Sequence, residues 1–152
     1  MLLENGTKAP EFEAEINGGK TIKLSDYKGK KVILYFYPKD NTSGCTTESC
    51  DFRDHKDEVT DKNTVILGIS PDSVKSHEGF IKKQSLNFDL IADPEKEISI
   101  KYNVWGEKSM YGRKFMGIIR STYLIDEDGV IKDSWYKVKV KDHVKKVIES
   151  IG

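Results

Sequence analysis

The sequence predicts an α/β sandwich, a mixed central sheet flanked by helices, on three observations. Two apolar runs, residues 32–37 and 64–70, are continuous enough to be strands buried on both faces. Polar, helix-compatible segments alternate with them. A turn-joined strand pair and an amphipathic segment then close the chain.

Taken in order, residues 12–16 and 20–24 alternate apolar and polar side chains around Asn17-Gly18-Gly19, which predicts an N-terminal β-hairpin. Residues 25–30 form a turn or short helical stop. The run Val32-Ile33-Leu34-Tyr35-Phe36-Tyr37 is the central strand, and Pro38 ends it. Turn formers Asp40, Asn41, Ser43 and Gly44 lead to Cys45, which opens a helix expected to run unbroken to about Asp61, since no proline or glycine interrupts it. Residues 64–70 are the second buried strand. Pro71-Asp72-Ser73 starts a helix over 74–85, with Val74, Phe80 and Ile81 as a narrow apolar stripe. A short strand at 88–91 precedes Asp93-Pro94, a cap and first-turn proline for a helix over 95–102. Residues 103–117 are glycine-punctuated yet carry Trp105, Met110, Tyr111, Phe115 and Met116, so a surface loop that packs down is expected. A strand at 118–125, a turn at Asp126-Glu127-Asp128-Gly129 and a last strand from Val130 to about Val138 follow. A helix over 141–151 buries Val144, Val147, Ile148 and Ile151, spaced at i, i+3, i+4 and i+7.

The 152 residues are the size of one ordinary domain, and one domain over 1–152 is expected. With 25 basic against 25 acidic side chains the net charge is zero, so the footprint of a nucleic-acid binder is missing. No apolar run is long enough to span a bilayer, and residues 1–8 lack the pattern of a signal peptide; a cytoplasmic protein is expected. Two cysteines in a reducing compartment point to catalysis or redox sensing rather than to a structural staple.

Both cysteines, Cys45 and Cys50, fall in one stretch, and Cys45 sits near a helix N-terminus, where unpaired backbone N–H groups and the helix dipole favour the reactive thiolate. Pro38, Thr42 and Cys45, at spacings of four and three, resemble the active-site signature of the peroxiredoxins, thiol-dependent peroxidases. Cys50, five positions on, narrows the likeness to the bacterioferritin comigratory protein or Q-type subfamily. Residues 24–30, the Phe36-Tyr37-Pro38 strand end and residues 112–122 look like that subfamily too, so nearly the whole chain is covered. The resemblance implies a thioredoxin-like three-layer fold, with Cys45 as the peroxidatic cysteine, Cys50 as the resolving one in an intramolecular disulfide, and Thr42, Arg120 and Pro38 completing the peroxide pocket. It implies hydrogen peroxide and small organic hydroperoxides as substrates, thioredoxin or a similar dithiol as reductant, a monomer, and neither cofactor nor metal.

The residue types suit those roles. In-line attack of a thiolate on a peroxide O–O bond needs a stabilised anion and donors aimed at two oxygens. Thr42 can orient thiolate and peroxide, and Pro38 can shield the site. Arg120, one of three arginines, lies in an apolar strand, where a buried cation would need an anionic partner; the Cys45 thiolate fits. Each residue also has a plainer reading. The cysteines could be inert buried thiols, and Arg120 a strand-end arginine snorkelling to water. Thr42 alone is an ordinary turn residue. His55 extends a Cys-x4-Cys-x4-His spacing, but this matches no usual zinc pattern and lacks a fourth ligand. His77 and His143 read as solvated helix residues, Glu48 as a first-turn dipole partner, and Trp105, Tyr111 and Phe115 as packing residues, some of which rim the pocket. A thiol-disulfide oxidoreductase is the alternative activity, though such proteins use Cys-x-x-Cys, and a non-catalytic redox sensor is a third reading.

Overall fold

The computed structural model describes residues 2–152. Its centre is a five-stranded sheet in the order β5-β4-β3-β8-β9, made of β3 (Lys31–Phe36), β4 (Thr64–Ser70), β5 (Asp89–Ala92), β8 (Ser121–Ile125) and β9 (Ile131–Trp135). β3 pairs in parallel with β4 and antiparallel with β8, so the sheet is mixed. Because successive side chains of β3 point to opposite faces, Val32, Leu34 and Phe36 join one core layer and Ile33, Tyr35 and Tyr37 the other. The first layer is closed by Phe12, Ile16 and Ile22 of the N-terminal segment and by Ile98 and Tyr102. The second is closed by Phe52, Val59 and Phe80 and by the predicted stripe Val144, Val147, Ile148 and Ile151. The expected three-layer, thioredoxin-like arrangement is therefore present. So is the N-terminal hairpin, in which β1 (Glu13–Glu15) pairs antiparallel with β2 (Thr21–Lys23).

Four expectations are corrected. The helix from Cys45 to Asp61 is two helices, α1 (Ser43–Asp54) and α2 (Lys56–Asp61), broken at His55. The His55 ring, through Nδ1, bonds the carbonyl of Asp51 at 2.8 Å, and its own amide turns to Phe52, so the ladder stops without proline or glycine. Residues 103–117 are no loop: β6 (Trp105–Met110) and β7 (Arg113–Ile118) form a hairpin. The two turn residues, Tyr111 at φ 51° and Gly112 at φ 78°, both take the left-handed conformation that a tight two-residue hairpin demands. Trp105 packs on the core beneath it, whereas Tyr111 is 99% exposed and Phe115 42%. The strand at 118–125 is split, because Ile119 and Arg120 leave β7 and turn into β8, with the Ile119 N–H donating to the Val104 carbonyl at 2.7 Å. Finally, His77 and His143 are buried rather than solvated.

The remaining helices are α3 (Val74–Gln84), α4 (Glu97–Lys101) and α5 (His143–Ile151). Ser73 caps α3 by accepting from the Ser76 N–H at 3.1 Å. Asp93 caps α4, accepting from the N–H groups of Ile98 and Ser99, two residues later than its sequence neighbour Pro94 suggests. Among the described residues no helix is long and apolar enough to cross a membrane.

Candidate active site

The carboxyl end of β3 delivers the chain into a loop that starts α1, and this is the edge at which open α/β sheets place ligands. Tyr37 is fully buried and its hydroxyl donates to Asp40 Oδ1 at 2.6 Å. Asp40 Oδ2 accepts from Ser76 and lies 2.8 Å from His77 Nδ1, while His77 Nε2 bonds the Ile91 carbonyl at 2.9 Å. This buried network ties the loop carrying Pro38 and Thr42 to α3 and β5. Asp40, Asp72 and His77 stand close enough together to hold an ion. Their facing atoms are instead engaged by hydrogen-bond partners, Asp72 Oδ2 accepting from Ser70 and from the Asp40 N–H.

Thr42 is the N-cap residue of α1, and the Thr46 N–H is the first to bond back to it, so the amides of Ser43, Gly44 and Cys45 are those a helix leaves unpaired. Cys45 lies in that first turn, 1% exposed. Arg120 Nη2 donates to its sulfur at 3.1 Å, and Nη1 of the same guanidinium donates to Glu48 Oε1 at 2.7 Å. Gly44 is small where it needs to be: a Cβ there would sit 3.2 Å from Arg120 Nη2. From the hairpin side Lys108 donates to the Ile118 carbonyl at 2.8 Å, with its pKa lowered by burial and by nearby Arg120.

Glu48 is completely buried. Burial pushes its carboxyl up to about 7 against the opposing pull of Arg120, and Oε2 has no hydrogen-bond partner. The closest base is His143 Nε2, 3.9 Å away, which bonds Thr122 Oγ1 at 2.8 Å. Burial, then Arg120 and Lys146, push His143 down to about 4, so the ring is neutral at ordinary pH.

Of the residues singled out in the sequence, Cys45 and Arg120 are in direct contact. Pro38 is half-buried at the strand end. Thr42 is exposed, and its hydroxyl donates to the Lys39 carbonyl at 2.9 Å. Cys50 lies further along α1 with its thiol on Gln84 Oε1 at 3.6 Å, and both cysteines are free. Glu48, His143 and Thr122 are the members that sequence reading missed. The available signal was a spacing: Glu48 is one helical turn beyond Cys45, hence on its face.

A thioredoxin-like fold with a buried thiol held by an arginine at the start of its first helix defines a thiol-dependent redox protein. Residues 5–134 match the AhpC/TSA family, and the chain belongs to it. It is 48% identical over 151 residues to peroxiredoxin Bcp of Bacillus subtilis, covering 99% of this chain and 96% of the relative. To a putative peroxiredoxin bcp of Coxiella burnetii it is 49% identical over 148 residues, 97% of this chain and 98% of that one. Among solved structures, a Xylella fastidiosa peroxiredoxin Q mutant superposes with a TM-score of 0.94 at 35% identity, covering 99% and 96% of the two chains. The bacterioferritin comigratory protein of Xanthomonas campestris, solved in a study of its alkyl peroxide reduction, gives 0.91 at 36% identity over 97% of each. The subfamily resemblance read from the sequence is thus borne out, and with it membership of an antioxidant enzyme family of thiol-dependent peroxidases.

Proposed function

We propose that this protein reduces hydrogen peroxide and small organic hydroperoxides with Cys45 as the attacking thiolate, and that Cys50 resolves the resulting sulfenic acid as an intramolecular disulfide. The observation that carries this reading is the Arg120 guanidinium, donating at once to the Cys45 sulfur at 3.1 Å and to Glu48 at 2.7 Å. A half-buried cation so fixed stabilises the thiolate before reaction and can donate to the peroxide oxygens during it. The unpaired first-turn amides of α1 add donors on the same side. Pro38 limits water at the sulfur, and the Thr42 hydroxyl turns from the Lys39 carbonyl to the incoming peroxide. Thioredoxin or a similar dithiol then returns the disulfide to two thiols by exchange. Two free cysteines suit a reducing compartment such as the cytoplasm, and we take the monomer as the working unit, to be checked by analytical ultracentrifugation in both redox states.

Stopped-flow peroxide consumption with thioredoxin as donor, run beside insulin-disulfide reduction, is the direct test. Peroxide turnover without insulin reduction is expected. Insulin reduction with no peroxide turnover would make the protein a disulfide exchanger instead. Cys45→Ser should abolish the first burst, while Cys50→Ser should keep one stoichiometric burst and accumulate sulfenic acid. A full burst from the Cys45 variant would overturn the assignment.

A further inference from the structure

Two buried groups that can be anions share one half-buried guanidinium in this site. Arg120 donates one nitrogen to Cys45 Sγ and another to Glu48 Oε1, and the other carboxylate oxygen, Oε2, is buried with no partner. The other charged or titratable groups around Glu48 do not supply a second positive charge. His143 on α5 is held neutral, Tyr35 on β3 is buried with its hydroxyl on Ser49, and Asp51 on α1 itself is acidic and opposes a second negative charge. Lys108 on β6 is bonded to the Ile118 carbonyl and adjoins Arg120 and Cys45 rather than Glu48. With thiolate and carboxylate both ionised, Arg120 is the one cation bonded to two buried negative charges, and Lys108 adjoins the thiolate side only, so the ionised Glu48 carries a charge that low dielectric penalises. An orphaned Oε2 is the atom on which a proton removes that penalty. Once Cys45 is oxidised the excess disappears, and Arg120 needs Glu48 as its sole anion.

We propose that Glu48 carries a proton on Oε2 while Cys45 is a thiolate and gives it up when Cys45 is oxidised, so that sulfur oxidation and carboxyl ionisation are one linked event. This rests on the peroxidase reading above. The thiolate attacks the terminal oxygen of the hydroperoxide; the S–O bond forms, the O–O bond breaks, and the sulfur's two electrons leave on the alkoxide. The sulfenic acid keeps the peroxide hydrogen, the alkoxide takes up one proton, and Glu48 releases one. Thiolate, hydroperoxide and carboxylic acid become sulfenic acid, alcohol and carboxylate, with one negative charge on each side. Glu48 touches no substrate and acts as a proton-holding, positioning residue. A carboxyl placed at about 7 is suited to the task, because either state is reached near neutral pH.

Peroxide-induced infrared difference spectra of Cys50→Ser protein, which stops at the sulfenic acid with α1 undisturbed by a disulfide, test the linkage. One equivalent of hydrogen peroxide should bleach a protonated-carboxyl C=O band, more completely at about pH 6 than at about pH 8. The band should be absent from the Cys50→Ser, Glu48→Gln double variant. Carbon-13 carboxyl labelling of glutamate should shift it, which assigns it without any further variant, since Glu48 is the only buried glutamate among the described residues. Peroxide consumed with no carboxyl band lost, or a band that glutamate labelling does not move, overturns the linkage and leaves the peroxidase reading intact. No peroxide consumed removes the peroxidase reading and the linkage with it.

Discussion

Replacing Glu48 with Gln should uncover a pH dependence of stability that the wild type conceals. In the folded protein the Glu48 carboxyl is raised by burial from 4.5 to about 7, so between those values the native state binds more protons than the unfolded chain. Its favourable contribution is complete below pH 4.5 and is lost as pH rises through about 7. At 1.36 kcal/mol per pH unit that window amounts to about 3 kcal/mol. His143 runs the other way. Lowered from 6.5 to about 4 by burial, Arg120 and Lys146, it contributes stability above pH 6.5 that is lost as pH falls through about 4, again about 3 kcal/mol. The two windows overlap and largely cancel. In Glu48→Gln only the histidine limb remains, so stability relative to wild type should climb by about 3 kcal/mol between pH 4.5 and 7. His143→Gln should show the mirror image. Urea unfolding at four pH values, with midpoint and slope measured at each, reads this directly. Wild-type and Glu48→Gln curves that stay parallel across the range would refute the buried-carboxyl argument.

Arg120→Met should slow the peroxide step by about a hundredfold or more, since one aimed charged donor in a dry site is worth about 2.7–4 kcal/mol; an unchanged burst rate would show that Arg120 is not the activating cation. Gly44→Ala should separate stability from activity: an added methyl favours the helix by up to about 1 kcal/mol, yet it presses on Arg120 Nη2 at 3.2 Å and should cost about tenfold in the peroxide step. Equal activity would mean that the guanidinium yields without consequence. Hydrogen exchange over residues 43–50 should be faster in the oxidised protein than in the reduced one, because Cα atoms five residues apart on a helix are about 8.7 Å apart and a disulfide spans at most about 7 Å. Equal protection in both redox states would show that α1 does not open.

What the sequence revealed was whatever one segment encodes by itself. The apolar run 32–37 made β3 central, and the turn chemistry before Cys45 put that thiol in the first turn of a helix. Arg120 was legible as a cation needing an anion because its neighbours are apolar. Glu48 was not, because among Thr47, Ser49 and Asp51 it looks like any exposed first-turn acid. Its burial is imposed by residues 72 and 95 positions away, Arg120 and His143. The histidines were misjudged for the same reason: His77 sits among polar neighbours, but its ring is turned inward onto Asp40 and the Ile91 carbonyl. The β6–β7 hairpin escaped notice because its strands carry exposed Met110, Phe115 and Met116 on a ribbon outside the main sheet, so burial leaves no clean period of two.

The anchors of α1 define where it would have to yield for the proposed disulfide between its two cysteines to form. Its far half is fixed: Phe52 is fully buried and stacks on Tyr35 at 4.6 Å, and Arg53 Nη1 donates to the Gln84 carbonyl at 2.6 Å. Its near half is held chiefly by polar contacts, Ser49 to Tyr35 at 2.9 Å and Glu48 to Arg120 at 2.7 Å, and its turns are built from Thr46, Thr47 and Ser49, all weak helix formers. Opening residues 43–50 therefore strips little apolar surface, whereas opening past Phe52 would unstack the aromatic core beneath the sheet. The contacts that would yield first are the ones that assemble the proposed peroxide pocket, since Arg120 holds Cys45 and Glu48 together. Under the proposed mechanism, disulfide formation would dismantle the site that produced the sulfenic acid, and a fresh peroxide would meet an ordered thiolate only after reduction had rebuilt the first two turns.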